Sequence, residues 1–190
     1  MKKECAVIKE KIQESVDIIE SLSSKADNIL EITRTVISVL RSGGKVMTAG
    51  NGGSAAEALH MAEELVGRFK MDRTALPGIA LTADSTVLTC IGNDYGFDKI
   101  FSRQVEALGK PGDILILFST SGKAKNLDLA LQAARKRKMQ TVCMLGRDGG
   151  LLAGQGDYEI IVEGSATERI QEAHQVLVHL ILDSVDSEFA

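Results

Sequence analysis

Several features that would assign this chain quickly are missing from it. No run approaches the ~18 consecutive apolar residues that a membrane-spanning helix needs. The opening Met1-Lys2-Lys3 resembles a secretory leader, but Glu4, Lys9, Glu10 and Lys11 leave no apolar stretch behind it, so a cytoplasmic location is expected. Cysteine is scarce: Cys5, Cys90 and Cys143 are odd in number, widely spaced and without a CxxC pair. They read as reduced thiols that serve packing. The phosphate-binding pattern GxxxxGKS/T is absent, and Gly50-Asn51-Gly52-Gly53 lacks the third glycine of GxGxxG, which disfavours a nucleotide ligand. Acidic residues outnumber basic ones, 26 to 22, for a net charge of −4. That balance argues against broad nucleic-acid binding and against docking on an anionic membrane. Repeats, low-complexity tracts and linkers are also lacking. Only three histidines occur, His60, His174 and His179, so each is worth following.

What remains is an ordinary globular composition. With 190 residues, 44% hydrophobic and 25% charged, the chain can bury a full core within one domain. The first 42 residues read as two helices. Cys5, Ile8, Ile12, Val16 and Ile19 recur at spacings of three and four, as do Ile29, Ile32, Val36 and Leu40. Ser23-Ser24 should break the first helix, Asp27 could cap the second, and Gly43-Gly44 should end it. The first stripe needs a covering surface: its own domain, or a second copy of the chain, which is the expectation favoured here. Residues 1–42 are therefore set apart as an oligomerisation segment and 43–190 as the ligand-binding domain.

From Lys45 onward strands and helices alternate. Val46–Ala49, Ile79–Leu81, Ile114–Phe118, Thr141–Leu145 and Glu159–Val162 are short, continuous and apolar, as strands covered on both faces should be. Helices are expected over Ala55–Arg68, near Asp98–Leu108, around Asn126–Lys138 and from Thr167 to Glu188. The alternation predicts an α/β fold with a doubly wound, five-stranded parallel sheet, whose ligands bind at the carboxyl ends of the strands.

The stretch from Lys45 to Arg68 organises the rest. A strand feeds the turn Gly50-Asn51-Gly52-Gly53-Ser54 and then a helix, whose N-terminus favours an anion. On that helix His60 and Glu64 lie four residues apart, on one face. The plainer alternatives are simple helix–strand packing and a surface pair. Ser119-Thr120-Ser121-Gly122-Lys123 offers three hydroxyls and a lysine ahead of another helix, which suits a phosphate ester, although a capping run would look similar. Asn93-Asp94, expected in a loop, offers an amide and a carboxylate for sugar hydroxyls, or an Asx turn. On the last helix His174 falls within the apolar stripe and reads as a packed residue. Gln171 and His179 are eight residues apart, roughly 12 Å along the axis.

Taken together, GNGGSAAEALHMAEELVGRF, IGNDYGFDKIFSRQVEALG, FSTSGK and RIQEAHQVLVH resemble the phosphoheptose isomerases of the sugar-isomerase (SIS) fold, over nearly the whole chain. That resemblance implies an aldose–ketose isomerase that converts sedoheptulose 7-phosphate to D-glycero-D-manno-heptose 7-phosphate through an enediol, towards the heptose of the lipopolysaccharide core. It implies a homotetramer with sites lined by neighbouring subunits, and a zinc ion. Position by position, it implies that Asn51, Gly52, Gly53 and Ser54 bind substrate, with Asn93 and Asp94 on the sugar and Ser119, Thr120 and Ser121 on the phosphate. It further implies His60, Glu64, Gln171 and His179 as metal ligands, Gln171 and Glu64 also meeting substrate, and Glu64 and His179 as base and acid. One position departs: Ala124 stands where the family usually has another phosphate-contacting serine, and Lys123 and Lys125 flank it with charge. Because one straight helix separates Gln171 from His179, either the long glutamine reaches back or the ligands come from two copies. Two rival readings accompany this one. The first is an isomerase of another phosphosugar. The second is a non-catalytic relative that associates with the bacterial replication initiator; that relative lacks a histidine at the position of His179.

Overall fold

The computed structural model describes residues 2–190. Two helices lead, α1 (Lys2–Ser21) and α2 (Ala26–Arg41), joined by a 3-10 turn over Leu22–Lys25. The break falls where Ser23-Ser24 foretold it. Asp27, however, does not cap α2: it lies inside the helix, and the capping position is Lys25, with no side-chain cap bond. The Gly43-Gly44 stop holds, Gly43 taking φ +80° just beyond the last turn.

All five strands are present: β1 (Val46–Gly50), β2 (Gly78–Ala80), β3 (Ile114–Ser119), β4 (Gln140–Gly146) and β5 (Tyr158–Val162). They form one parallel sheet in the order β2-β1-β3-β4-β5. The chain therefore winds outward from β1 in one direction and from β3 in the other. The place where the direction reverses, between the carboxyl ends of β1 and β3, is where such sheets open a crevice for ligand. Gly50 pairs with Phe118 there, so the glycine turn and the serine loop leave the sheet side by side.

Five further helices cover the sheet: α3 (Gly53–Val66), α4 (Ser85–Tyr95), α5 (Ser102–Leu108), α6 (Lys125–Lys136) and α7 (Thr167–Phe189). Alternate strand residues face opposite layers. Val46, Ile114, Ile116, Phe118, Val142 and Met144 join α1, α2, α3 and α7 in one core. Met47, Ala49, Leu115, Leu117, Cys143 and Leu145 join the other, with α4, α5 and α6. Four of the strands run one or two residues longer than expected and β2 is shifted back by one, and the expected helix over Asp98–Leu108 is split into a 3-10 turn at Phe97–Lys99 and α5. The larger miss is α4. Asn93-Asp94 sits in its last turn, not in a loop.

Of the first stripe only Ile19 is partly buried. Cys5 and Val16 are exposed, and Ile8 and Ile12 are 60% and 59% exposed within one chain. The residues of this segment that enter the core are Ile18 and Leu22, off the expected stripe. The α2 stripe, by contrast, is integral to the core through Ile32, Val36 and Leu40. Nor are all three cysteines packed: Cys143 is buried, but Cys5 and Cys90 are exposed. Among the described residues no helix is long and apolar enough to cross a membrane.

Candidate active site

The site is built on two helices that run side by side in the same direction. Their contacts keep step: Gly53 lies against Gln171, Glu57 against His174, and His60 against His179. Gly53 has to be glycine, because a Cβ there would fall on the Gln171 amide. One turn along, Glu57 and His174 are both buried, with a carboxylate oxygen 3.6 Å from Nδ1. His174 Nε2 lies 3.1 Å from the Leu145 carbonyl at the end of β4, so this histidine is the packed residue the sequence led one to expect.

Beyond it the chemistry gathers. His60 Nε2 is 3.3 Å from His179 Nε2 and 3.5 Å from Glu64 Oε1. The rings meet edge-on at 5.4 Å between centroids. Phe69, from the segment after α3, stacks on the other side of His179 at 5.5 Å. Two Nε2 atoms facing each other so closely either share one hydrogen or hold a cation. Tetrahedral coordination with bonds of about 2.0–2.2 Å places neighbouring ligand atoms roughly 3.3–3.5 Å apart. The two spacings measured from His60 match that edge, and imidazole nitrogens with carboxylate oxygens are donors that zinc accepts. The ligand atoms that all lie close to one another, however, are those of His60, Glu63 and Glu64, without His179. Glu63 stands near enough to count with His60 and Glu64 as a metal-binding group.

Within one chain Gln171 is not part of this cluster. Seven residues of α3 separate Gly53 from His60, about 10 Å of helix, and Gln171 stays at the Gly53 end. Gln175 instead comes to 3.0 Å from His179 Nε2, and sequence reasoning passed it over. Its signal was the spacing: four residues before His179, it shares that face of α7.

The far end of α3 is anchored by a buried ion pair. Arg73 caps the helix by donating to the Glu64 carbonyl at 2.8 Å and to the Leu65 carbonyl at 3.0 Å. Its Nε donates to Asp186 of α7 at 2.7 Å. The other Asp186 oxygen accepts the N–H groups of Lys70 and Met71. Burial pushes the Asp186 carboxyl up, but the Met71 and Lys70 amides and the Arg73 guanidinium outweigh it and hold the group below the usual carboxylate range. Glu64 thus sits two residues from the end of α3, in the turn that Arg73 pins, facing His60.

The two loops at the sheet's reversal point complete the cleft. In the first, Ser54 and Ala55 donate to the Asn51 and Gly52 carbonyls, each at 3.0 Å, closing the turn. In the second, Ser119 Oγ accepts from the Gly122 N–H and Ser121 Oγ from the Lys123 N–H, so two of the three hydroxyls also shape their own loop. Gly122, at φ +61°, packs so close to the Gly149 carbonyl that no Cβ would fit. Ala124 occupies the capping position of α6 and supplies no side-chain bond. Asn126, which the sequence reading gave no role, joins the two loops: its amide and that of Asn51 exchange two hydrogen bonds of 2.9 Å. Asn93 and Asp94 are exposed, and Asn93 donates to its neighbour at 2.7 Å.

Comparison with known proteins agrees with this architecture. Residues 11–146 match the SIS domain model. A phosphoheptose isomerase of Sulfurimonas denitrificans is 44% identical over 95% of this chain and 94% of its own length. The solved structure of a phosphoheptose isomerase from Francisella tularensis superposes with a TM-score of 0.89 at 35% identity, covering 98% of this chain and 97% of that one. The phosphoheptose isomerase from Neisseria gonorrhoeae gives 0.84 at 38%, covering 98% of both. Full-length likeness at these identities, on the same fold, settles the family: the chain belongs to the SIS-domain phosphoheptose isomerases.

Proposed function

We propose that this protein interconverts sedoheptulose 7-phosphate and D-glycero-D-manno-heptose 7-phosphate, towards the heptose of the lipopolysaccharide core. The observation that carries the reading is the meeting of Glu64 and His179 at His60, beside two polar loops at the sheet's reversal point. Moving the carbonyl from C2 to C1 requires a proton to leave C1 and one to arrive at C2, while the two oxygens exchange a proton. Glu64 carries the proton between the carbons. His179 serves the oxygens. Phe69, stacked on His179, holds its ring and keeps water from that face.

Asn51, Gly52, Gly53 and Ser54 with Asn93 and Asp94 receive the sugar, and Ser119, Thr120 and Ser121 receive the phosphate, helped by the N-terminus of α6. Ala124 offers no hydroxyl there, and Lys123 and Lys125 lend charge instead. His60, Glu64 and His179, with Gln171, hold a zinc ion; when bound it polarises the sugar carbonyl as a Lewis acid. Because Gln171 lies apart from the other three within one chain, ligands from two copies complete the set. The exposed Ile8 and Ile12 of α1 support that assembly, a homotetramer in which residues 1–42 join the subunits. The protein works in the cytoplasm on a phosphorylated sugar, with neither nucleic acid nor membrane as partner.

The test is direct. Purified protein is incubated with sedoheptulose 7-phosphate, and the aldose is followed with and without chelator. Turnover that falls on chelation supports the reading; well-folded protein that forms no aldose under either condition overturns it.

A further inference from the structure

Asn51 is counted above among the residues that receive the sugar, but Asn126, its partner across the two substrate loops, has no part in that reading. Asn51 directly follows β1 on one side of the reversal point, and Asn126 lies in the first turn of α6 on the other, 75 residues away. Each amide donates to the oxygen of the other at 2.9 Å. Asn126 is only 2% exposed, so its polar atoms would be costly to leave without these partners. Since α6 has no side-chain cap, this amide is what fastens its first turn to the neighbouring loop. Asn51, meanwhile, has its oxygen and one N–H engaged before any sugar arrives.

A sugar phosphate is long, with the reacting carbons at one end and the phosphate at the other. A site that grips both ends must fix the distance between the two grips, since displacements near 1 Å cost rate or affinity. We propose that Asn126 is a positioning residue: its reciprocal amide pair with Asn51 sets the spacing between the glycine turn and the serine loop, and commits the Asn51 side chain to that task. Asn51 then serves the sugar through its backbone, together with Gly52 and Gly53, and not through its side-chain amide. The inference rests on the isomerase reading for its substrate, though not for the pair itself.

The experiment is a double-mutant cycle with a spectroscopic arm. Steady-state constants for sedoheptulose 7-phosphate are measured on the wild type, Asn51→Ala, Asn126→Ala and the double variant. Each single change should raise KM about tenfold and leave kcat within about threefold. The double variant should be no worse than either single, because one interaction is lost once. Side-chain amide exchange, read by NMR on labelled protein without substrate, should be slow at both residues in the wild type. It should become fast at Asn51 in Asn126→Ala, or in Asn126→Ser if the alanine variant does not fold. Multiplied KM effects, near 100-fold in the double variant, would give Asn51 a separate contact with the sugar and overturn the proposal, as would fast exchange at both amides in the wild type. A wild type without turnover would sink the isomerase reading alone, and the exchange arm would still decide the pair.

Discussion

His60 and His179 are 119 residues apart in the chain, yet their Nε2 atoms stand 3.3 Å from each other, with Glu64 3.5 Å from the same His60 atom. The relation depends on α3 and α7 running in step, from the Gly53–Gln171 contact to the Arg73–Asp186 pair. The site is therefore a product of helix register as much as of the residues in it.

Metal affinity follows from that spacing. His60→Ala or His179→Ala should each weaken zinc binding by at least about 100-fold, more than the 10- to 100-fold typical of residues that only orient a ligand. Competition with a coloured chelator measures this without any assay of activity. Affinity unchanged in both variants would remove these histidines from the metal site.

The Arg73–Asp186 pair makes a statement about stability. Asp186→Asn leaves a buried guanidinium without its counter-charge and should cost about 3–5 kcal/mol at neutral pH. The sign with pH is fixed by the lowered carboxyl. A depressed native value stabilises the fold above the unfolded carboxyl's range, and that contribution is lost as pH falls through the native value. Denaturant titrations of wild type and variant should converge in acid and diverge towards neutral pH. A constant gap across that range would contradict the assignment.

Thiol chemistry should separate the cysteines. Burial is the main cause that pushes the Cys143 thiol up to about 12, with Glu159 adding to it. Native protein treated with iodoacetamide should be modified at Cys90 and spared at Cys143, as read by peptide mass spectrometry. Unfolding should expose Cys143. Rapid labelling of Cys143 in native protein would mean that β4 is not buried as described.

The exposed face of α1 bears on assembly. Ile8→Glu with Ile12→Glu should reduce the mass in light scattering to a smaller oligomer or a monomer, and should leave far-UV circular dichroism nearly unchanged. An unaltered mass would place the subunit interface elsewhere.

Much of this arrangement was legible in the chain, for physical reasons that differ by element. Strands such as Ile114–Ser119 are buried on both faces, so a bare apolar run marks them. His60 and Glu64 share a face by helix spacing alone. The helix α4 was not legible. Only Ile91 is buried along it, so it has almost no stripe, and β-branched residues crowd its first turns. Its one clear signal was Asp84, whose carboxylate accepts from the Thr86 and Val87 N–H groups and starts the helix. Pairings across the sheet were invisible for another reason. Asn51 meets Asn126, and His179 meets His60, through strand order and helix register that no local pattern encodes. The first stripe misled in the opposite sense: its periodicity is real, but among the described residues of one chain Cys5, Ile8, Ile12 and Val16 stay exposed.

The central claim is that Glu64 and His179 move the protons of a sugar-phosphate isomerisation. Wild type, Glu64→Gln and His179→Ala should be incubated with sedoheptulose 7-phosphate in deuterated water and followed by NMR. The account predicts aldose carrying solvent deuterium at C2 from the wild type, and rates lower by about 10²- to 10⁴-fold in each variant. Variants as fast as the wild type, or a folded wild type that forms no aldose, would contradict it.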